Sequence, residues 1–406
     1  MKRWILAALA AVTCGNFAMA QSITAAGTRN VGKRYLVAFK ENTSVADRRK
    51  VLTGMGLDAE DALDELAAFV AEAKPGKVQP NAALKLLENP LVAWVEEDTY
   101  WPNMLVDMPM AMSQLPLPSM HAILADLPKV DMPAQTVGEQ PWGIRRVNAP
   151  AAWTKTQGAG VRVAVIDTGI DSKHPDLAAN YAGGYNAVGS GLPMDDNGHG
   201  THVAGTIAAV KDDKGVVGVA PKAKLYAVKV LDAKGGGSLV GIVKGLVWCA
   251  RNNMQVANMS LGAPMGSIFM HWAVMYANSK GVTVVAAAGN SGGSVSYPGA
   301  YSEVIAVSAS DAFNKIAPWS SRGKEVSVIA PGVDVLSDAP GGGLATHSGT
   351  SMATPHVTGL AALAVSQGFT GTEQIRQALK NAAVKLDGLT PVEQGAGMPD
   401  AAKIRR

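Results

Sequence analysis

The stretch VRVAVIDTGI, Val161–Ile170, is a run of β-branched and small apolar residues that stops abruptly at Asp167-Thr168-Gly169. A continuous apolar run, unlike an alternating one, marks a strand buried on both faces. Five more such runs follow: KLYAVKVL, QVANMSL, TVVAAA, VIAVSAS and VSVIAP. Helical patterns at 199–209, 238–253, 268–280, 351–366 and 371–383 intervene or follow. From about Gln140 onward, this order predicts an α/β fold: a doubly wound, mainly parallel sheet with helices on both faces. No internal repeat of 20–50 residues interrupts it.

Such sheets gather their functional side chains just beyond the carboxyl ends of the strands. Asp167 stands at one such end, able to orient a histidine, to bind a metal, or simply to make a turn. The segment DDNGHGTHVAGTIAA, Asp195–Ala209, carries His199 and His202 three residues apart. They read as metal ligands, as a catalytic base beside a scaffold residue, or as core residues. A zincin helix would space its histidines four apart with a glutamate base between them. Ser351 heads the small-residue helix in HSGTSMATPHVTGLAALA, with Pro355 in its first turn. Developing negative charge is favoured there, although a plain N-cap serine reads the same way. Asn290 ends TVVAAAGN, a strand-end amide able to donate to an oxyanion.

Asp, His and Ser in that chain order, with an Asn donor, form a nucleophilic constellation. On VAVIDTGID, HGTHVAGTIAA, NMSLG, AAAGN and GTSMATPHV, the chain from about Pro141 to Arg406 resembles the subtilisin-like serine proteases, the subtilase family. The resemblance implies a secreted serine endopeptidase acting on protein or peptide substrates. His199 would be the base, Asp167 its orienting carboxylate and Ser351 the nucleophile. Asn290 and the Ser351 backbone N–H would hold the oxyanion, leaving His202 as scaffold. The substrate walls would come from Ser260, Leu261 and Gly262 and from Ala287, Ala288 and Gly289, with SVSYP closing the far end. Gly235, Gly236 and Gly237 would pair with an extended substrate backbone. All these residues are neutral, which favours a large apolar or aromatic residue before the cleaved bond, with broad specificity. Two readings compete: an inactive relative that only binds partners, and zinc hydrolysis through His199 and His202.

The same resemblance implies a structural calcium ion, Ca2+, in the loop AAVKDDKGVVGVAP. Its ligands would be the Asp212 side chain, the carbonyls of Val210, Lys214 and Val216, and the remote carboxylate of Asp176. The family also uses a glutamine near the mature N-terminus. The matching position here is Gly138, so Gln135, Glu139 or Gln140 would have to substitute by a register shift.

Upstream, residues 1–20 (MKRWILAALAAVTCGNFAMA) have the basic start, apolar run and Ala18-Met19-Ala20 end of a signal peptide. Residues 21–101 are expected to be a propeptide. Within them 34–101 reads as a small α+β unit: strand RYLVAFK, helix SVADRRKVLTGMG, strand LAAFVAEA, helix NAALKLLEN and strand LVAWVEEDTYW. This unit resembles the family's inhibitor-type propeptide, a folding aid and intramolecular inhibitor lost on self-processing. Residues 102–137 hold six Pro and six Met between Pro102 and Pro133 and read as an extended, exposed linker. Residues 138–406 are the catalytic domain. Residues 21–137 carry net charge −4 and residues 138–406 net +5, which favours their association.

Of two cysteines, Cys14 leaves with the signal and Cys249 reads as a buried hydrophobe, so no internal disulfide is expected. His174, His271, His347 and His356 lie outside the signatures, His356 as a packed helix residue. A net charge of +3 without a basic–aromatic cluster argues against nucleic acid. No later apolar run reaches membrane-spanning length, so a soluble monomer is expected, extracellular or periplasmic, without a membrane anchor once the signal is removed.

Overall fold

The computed structural model describes residues 34–73, 81–105 and 135–406; the signal reading of residues 1–20 and most of the linker lie outside these residues. The chain first builds a four-stranded antiparallel sheet from β1 (Arg34–Phe39), β2 (Leu57–Leu63), β3 (Ala68–Ala73) and β4 (Val92–Glu97), in the order β2-β3-β1-β4. Alternation in β1 splits its residues between two cores. Tyr35, Val37 and Phe39 meet Leu52 of helix α1 (Val45–Gly54) and Leu86 of α2 (Ala82–Leu87). Leu36 and Ala38 face the other way. Ser44 caps α1, its side chain accepting the Asp47 N–H. β2 was not anticipated: in LDAEDAL only the two end leucines are buried, so charge and alanine mask the strand.

A two-residue strand, β5 (Tyr100–Trp101), follows, and then a short hairpin of β6 (Thr136–Val137) and β7 (Gln140–Pro141) and two short helices, α3 (Trp142–Arg146) and α4 (Ala149–Ala152). The large sheet consists of β8 (Arg162–Asp167), β9 (Tyr181–Asn186), β10 (Lys224–Lys229), β12 (Val256–Met259), β13 (Thr283–Ala287), β14 (Ile305–Ser310) and β15 (Val326–Pro331). All seven strands are parallel, in the order β15-β14-β13-β12-β8-β10-β9. Short β11 (Gly237–Ser238) lies outside it and pairs with β5. β16 (Val335–Ala339) and β17 (Gly343–His347) form a separate hairpin.

β8 shows why the apolar runs are continuous. Val163 and Val165 enter the core made with α5 (His199–Ala208), α8 (Thr350–Ser366) and α9 (Gly371–Ala382). Ala164 and Ile166 enter the opposite core, made with α6 (Leu239–Arg251) and α7 (Ile268–Ser279). Full burial of each such Val or Ile stabilises by about 1.5–3 kcal/mol, so a polar substitution on either face would open one core. The second core also receives Leu36, Ala38, Leu63, Leu66 and Val70 of the small unit. The missed edge strand β9, YAGGYN, is glycine-rich and leaves no apolar period to read.

Two expectations need correction. Pro355 sits in the second turn of α8, not the first, because the helix begins at Thr350. The segment after Trp101 is not wholly an exposed tether: Met104 is fully buried and Leu105 nearly so.

Candidate active site

β8 delivers Asp167 at its carboxyl end, fully buried, where its Oδ1 accepts the Thr168 N–H (2.7 Å) and lies 2.7 Å from His199 Nδ1. Asp195 fixes the entry into α5, a role the sequence reading missed. Its Oδ1 accepts from Gly198 N–H (2.9 Å), Asn197 N–H (3.0 Å) and Thr168 Oγ1 (2.8 Å), and its Oδ2 from Thr201 N–H (2.9 Å) and Thr201 Oγ1 (2.6 Å). Burial pushes the Asp195 carboxyl up, but these bonds outweigh it and hold it below the usual range. A signal existed, since an aspartate ahead of a helix is the residue type that caps orphan amides. Thr168 also accepts the Gly200 N–H (2.9 Å). A Cβ at Gly200 would stand 2.1 Å from the Gly169 carbonyl oxygen, so only glycine lets helix and strand end meet here.

His202, one turn further, serves another purpose. It is fully buried, with Nε2 3.0 Å from the Val335 carbonyl and 3.2 Å from that of Ala345. Carbonyls only accept, so Nε2 carries the proton and ties α5 to the β16–β17 hairpin. Burial first, then His347 and His199 nearby, hold this ring well below the ordinary histidine range, so it stays neutral.

Ser351 lies at the start of α8, fully buried, its Oγ donating to the Ser260 carbonyl (3.2 Å). Pro355 has no N–H to give the carbonyl four residues back, and Ser260 Oγ donates to that Ser351 carbonyl instead (2.8 Å). Asn290 is oriented by Thr350, whose N–H (2.9 Å) and Oγ1 (2.8 Å) both donate to Asn290 Oδ1. The amide nitrogen is thereby turned away, and Asn290 Nδ2 is buried with no hydrogen-bond partner among the described residues. Thr350 Oγ1 also accepts the Gly289 N–H (3.1 Å), joining the Ala287-Ala288-Gly289 strand end to the same helix head. Tyr297 of SVSYP bridges Ala263, just after Gly262.

The groove beside these residues is filled by the chain itself. β5 pairs antiparallel with β11, Trp101 opposite Gly237. Met104 N–H then donates to the Gly235 carbonyl (2.9 Å) while its own carbonyl accepts from Gly262 N–H (3.0 Å). Thus Tyr100–Leu105 runs between Gly235–Ser238 and Ser260–Gly262, the two segments read as substrate walls. Two carboxylates of β4 and its end anchor it: Glu96 accepts from Phe269 N–H and Ser267 Oγ at the head of α7, and Asp98 from Val240 N–H at the head of α6.

The residues read as calcium ligands are drawn together. Asp176 Oδ2 accepts the Val216 N–H (2.9 Å), and the Asp176 carbonyl accepts the Val210 N–H (2.8 Å). Gly215, at φ +46°, has its Cα side against Asp176 Oδ2, where a Cβ would stand only 2.0 Å away. Asp212 Oδ1 accepts the Lys214 N–H (3.2 Å). Of the three proposed substitutes for the missing glutamine, Glu139 reaches this loop: its Oε2 accepts the amides of Asp212 (3.1 Å) and Asp213 (2.7 Å). Cys249 is buried in the apolar core, and burial pushes its thiol up, away from nucleophilic behaviour. His356 is buried too, held down to about 4 by burial.

Comparison with known proteins identifies the family of this chain. Residues 158–397 fit the model of the subtilase family, peptidase S8. An alkaline protease of Alkalihalobacillus alcalophilus is 42% identical over 390 residues, 95% of this chain and 94% of the relative. Subtilisin Savinase of Lederbergia lenta is 52% identical over 270 residues, 66% of this chain and 98% of the relative. Subtilisin E of Bacillus subtilis is 40% identical over 376 residues, 90% of this chain and 89% of the relative. The chain belongs to the subtilase family. It is a subtilisin-like serine endopeptidase, cleaving peptide bonds in protein substrates.

Proposed function

We propose that the reaction runs through Asp167, His199 and Ser351, with the oxyanion received by Asn290 Nδ2 and the Ser351 N–H. The observation that carries this is the buried, unpartnered Asn290 Nδ2, aimed by Thr350 beside the head of the helix that bears Ser351. A buried donor without a partner costs about 1–3 kcal/mol in the resting protein. It is relieved when negative charge develops on a carbonyl oxygen, which makes the interaction specific to the transition state. Asp167 accepts from Nδ1, so the neutral His199 ring presents Nε2 to the nucleophile. The Ser351 hydroxyl turns from the Ser260 carbonyl toward that nitrogen, gives up its proton and attacks the scissile carbonyl; the imidazolium then protonates the leaving amine. The apolar, neutral walls at Ser260–Gly262 and Ala287–Gly289 suit a large apolar or aromatic residue before the cleaved bond. A fluorophosphonate probe should label the mature enzyme on Ser351 and leave Ser351→Ala unlabelled; casein cleavage surviving in Ser351→Ala would refute the assignment.

The chain is further proposed to be an exported zymogen that works as a monomer. Tyr100–Leu105 in the groove supports the reading of residues 21–101 as an intramolecular inhibitor, with residues 102–137 cut during maturation. N-terminal sequencing of secreted wild-type and Ser351→Ala protein tests this, since only the wild type should lose the segment before about Gln140.

The loop fits a calcium ion. Its amides at 210, 212, 213, 214 and 216 are all spent on carboxylate or carbonyl acceptors, which leaves oxygen ligands as its spare groups. Asp176, Asp212 and the carbonyls of Val210, Lys214 and Val216 would hold the ion, with Glu139 bracing the loop from beneath. Bound calcium would cross-link the loop and slow its local unfolding.

A further inference from the structure

Behind the calcium loop, His174, Asp176 and Asp338 each offer one ligating atom, all within 4.8 Å of one another. They are buried, at 2%, 5% and 0% exposure. His174 Nε2 lies 2.9 Å from the Gly343 carbonyl, which can only accept, so the proton sits on Nε2 and Nδ1 presents a lone pair. That lone pair faces Asp338 Oδ1 at 3.8 Å and takes the Asp176 N–H in a long bond of 3.2 Å, which a bound ion would displace. Neither Asp338 oxygen finds an N–H or hydroxyl donor among the described residues, and the Asp176 carboxyl lies within hydrogen-bonding reach of it. Three electron-rich groups thus converge where water is excluded, which is unfavourable unless a cation or a shared proton lies between them.

We propose that His174 Nδ1, Asp176 and Asp338 form a site for a divalent transition cation of the zinc class. An imidazole nitrogen with two carboxylates suits zinc better than calcium, which prefers an all-oxygen shell. Two carboxylates neutralise the ion, and the Gly343 carbonyl supplies the partner that metal-bound histidines need for their second nitrogen. Asp176 is shared with the calcium loop, its Oδ2 holding the Val216 amide on the loop side. The ion's role is structural. It joins the turn after β8 to β16, the strand on which α5 packs and whose Val335 carbonyl holds His202.

The test uses the full chain carrying Ser351→Ala, which prevents self-digestion, stripped with a chelator and titrated with zinc chloride. About one equivalent of zinc should survive gel filtration. The unfolding midpoint should rise by roughly 5 °C when zinc is a hundredfold above its dissociation constant. Adding Asp338→Asn should abolish both effects, while adding Asp212→Asn, which cripples only the calcium loop, should leave both. If Asp338→Asn does not fold, His174→Gln carries the same test and should weaken zinc binding at least tenfold. The proposal is overturned if no zinc is retained or if Asp338→Asn retains it equally. It is also overturned if Asp338→Asn raises the metal-free midpoint while zinc shifts nothing, the behaviour of a proton shared by the two carboxyls. Because zinc is read on Asp212→Asn as well, failure of the calcium assignment leaves this result standing.

Discussion

The seven-stranded sheet is covered on both faces, and its own domain supplies most of that cover. The four-stranded sheet covers one face with α1 and α2 and gives the other to α6 and α7. The self-contained core of the small unit is only a dozen buried residues around Phe69, Leu52 and Leu86. A sheet that borrows half its core is stable while docked and marginal otherwise, since a small core rarely outweighs chain entropy. The residues proposed to carry the chemistry, by contrast, sit wholly on elements of the larger unit. One region holds the proposed catalytic residues; the other carries a strand and two helix caps, and depends on its partner for stability.

The largest test of this division is Ser351→Ala. It should lower turnover by about 10⁶-fold, the loss known for a subtilisin triad, while both sheets keep their hydrogen-exchange protection. Loss of protection in the small sheet would mean that the nucleophile also holds the groove together. Next, Phe69→Ala on that background removes the ring stacked edge-on against Phe39 at 6.3 Å. It should cost about 3–5 kcal/mol, read as exchange of the small sheet without change in the large one. A common loss in both would show that the two units unfold together. Asn290→Ala should cut turnover on peptide substrates by about 10²–10³, again the subtilisin magnitude, with KM little changed; a pure KM effect would move Asn290 from oxyanion donor to binding wall.

The smallest effect concerns the caps. Asp98→Ala removes the acceptor of the Val240 amide and the partner of Arg34 (2.7 Å), and should weaken docking by about 0.5–2 kcal/mol. The carboxyls of Glu96 and Asp98 are both raised, burial outweighing the bonds they accept. A carboxyl raised on docking gives its full contribution below its free value of about 4 and loses it as pH climbs through the docked value. Protection of the small sheet, corrected for intrinsic exchange, should therefore fall as pH rises past about 4. Tightening over that range would break the account.

What could be read in advance follows from burial geometry. β8, β10, β12, β13, β14 and β15 are buried on both faces and announce themselves as apolar runs. β2 and β9 do not, the first because its middle faces solvent and the second because glycine and a sheet edge leave no pattern. The places of Asp167, His199, Asn290 and Ser351 in the fold were legible because strand ends and helix heads are positions that sequence marks. Asp195 was visible in sequence but not as a clamp, because its partners only converge once Thr168 and α5 meet. Asp338 was illegible: 162 residues separate it from Asp176, and nothing local tells a buried aspartate from a turn.

The exchange between Ser260 and Ser351 has a mechanical consequence. Each residue donates its hydroxyl to the other's backbone carbonyl, and the proline in the next turn of the helix frees one of those carbonyls for the purpose. The proposed substrate wall and the proposed nucleophile are therefore tied to one frame, and the Ser260 hydroxyl keeps that tie when the Ser351 hydroxyl turns toward His199. A breathing motion of the sheet carries both together, so the distance that matters for bond formation is insulated from motions that alter the rest of the cleft.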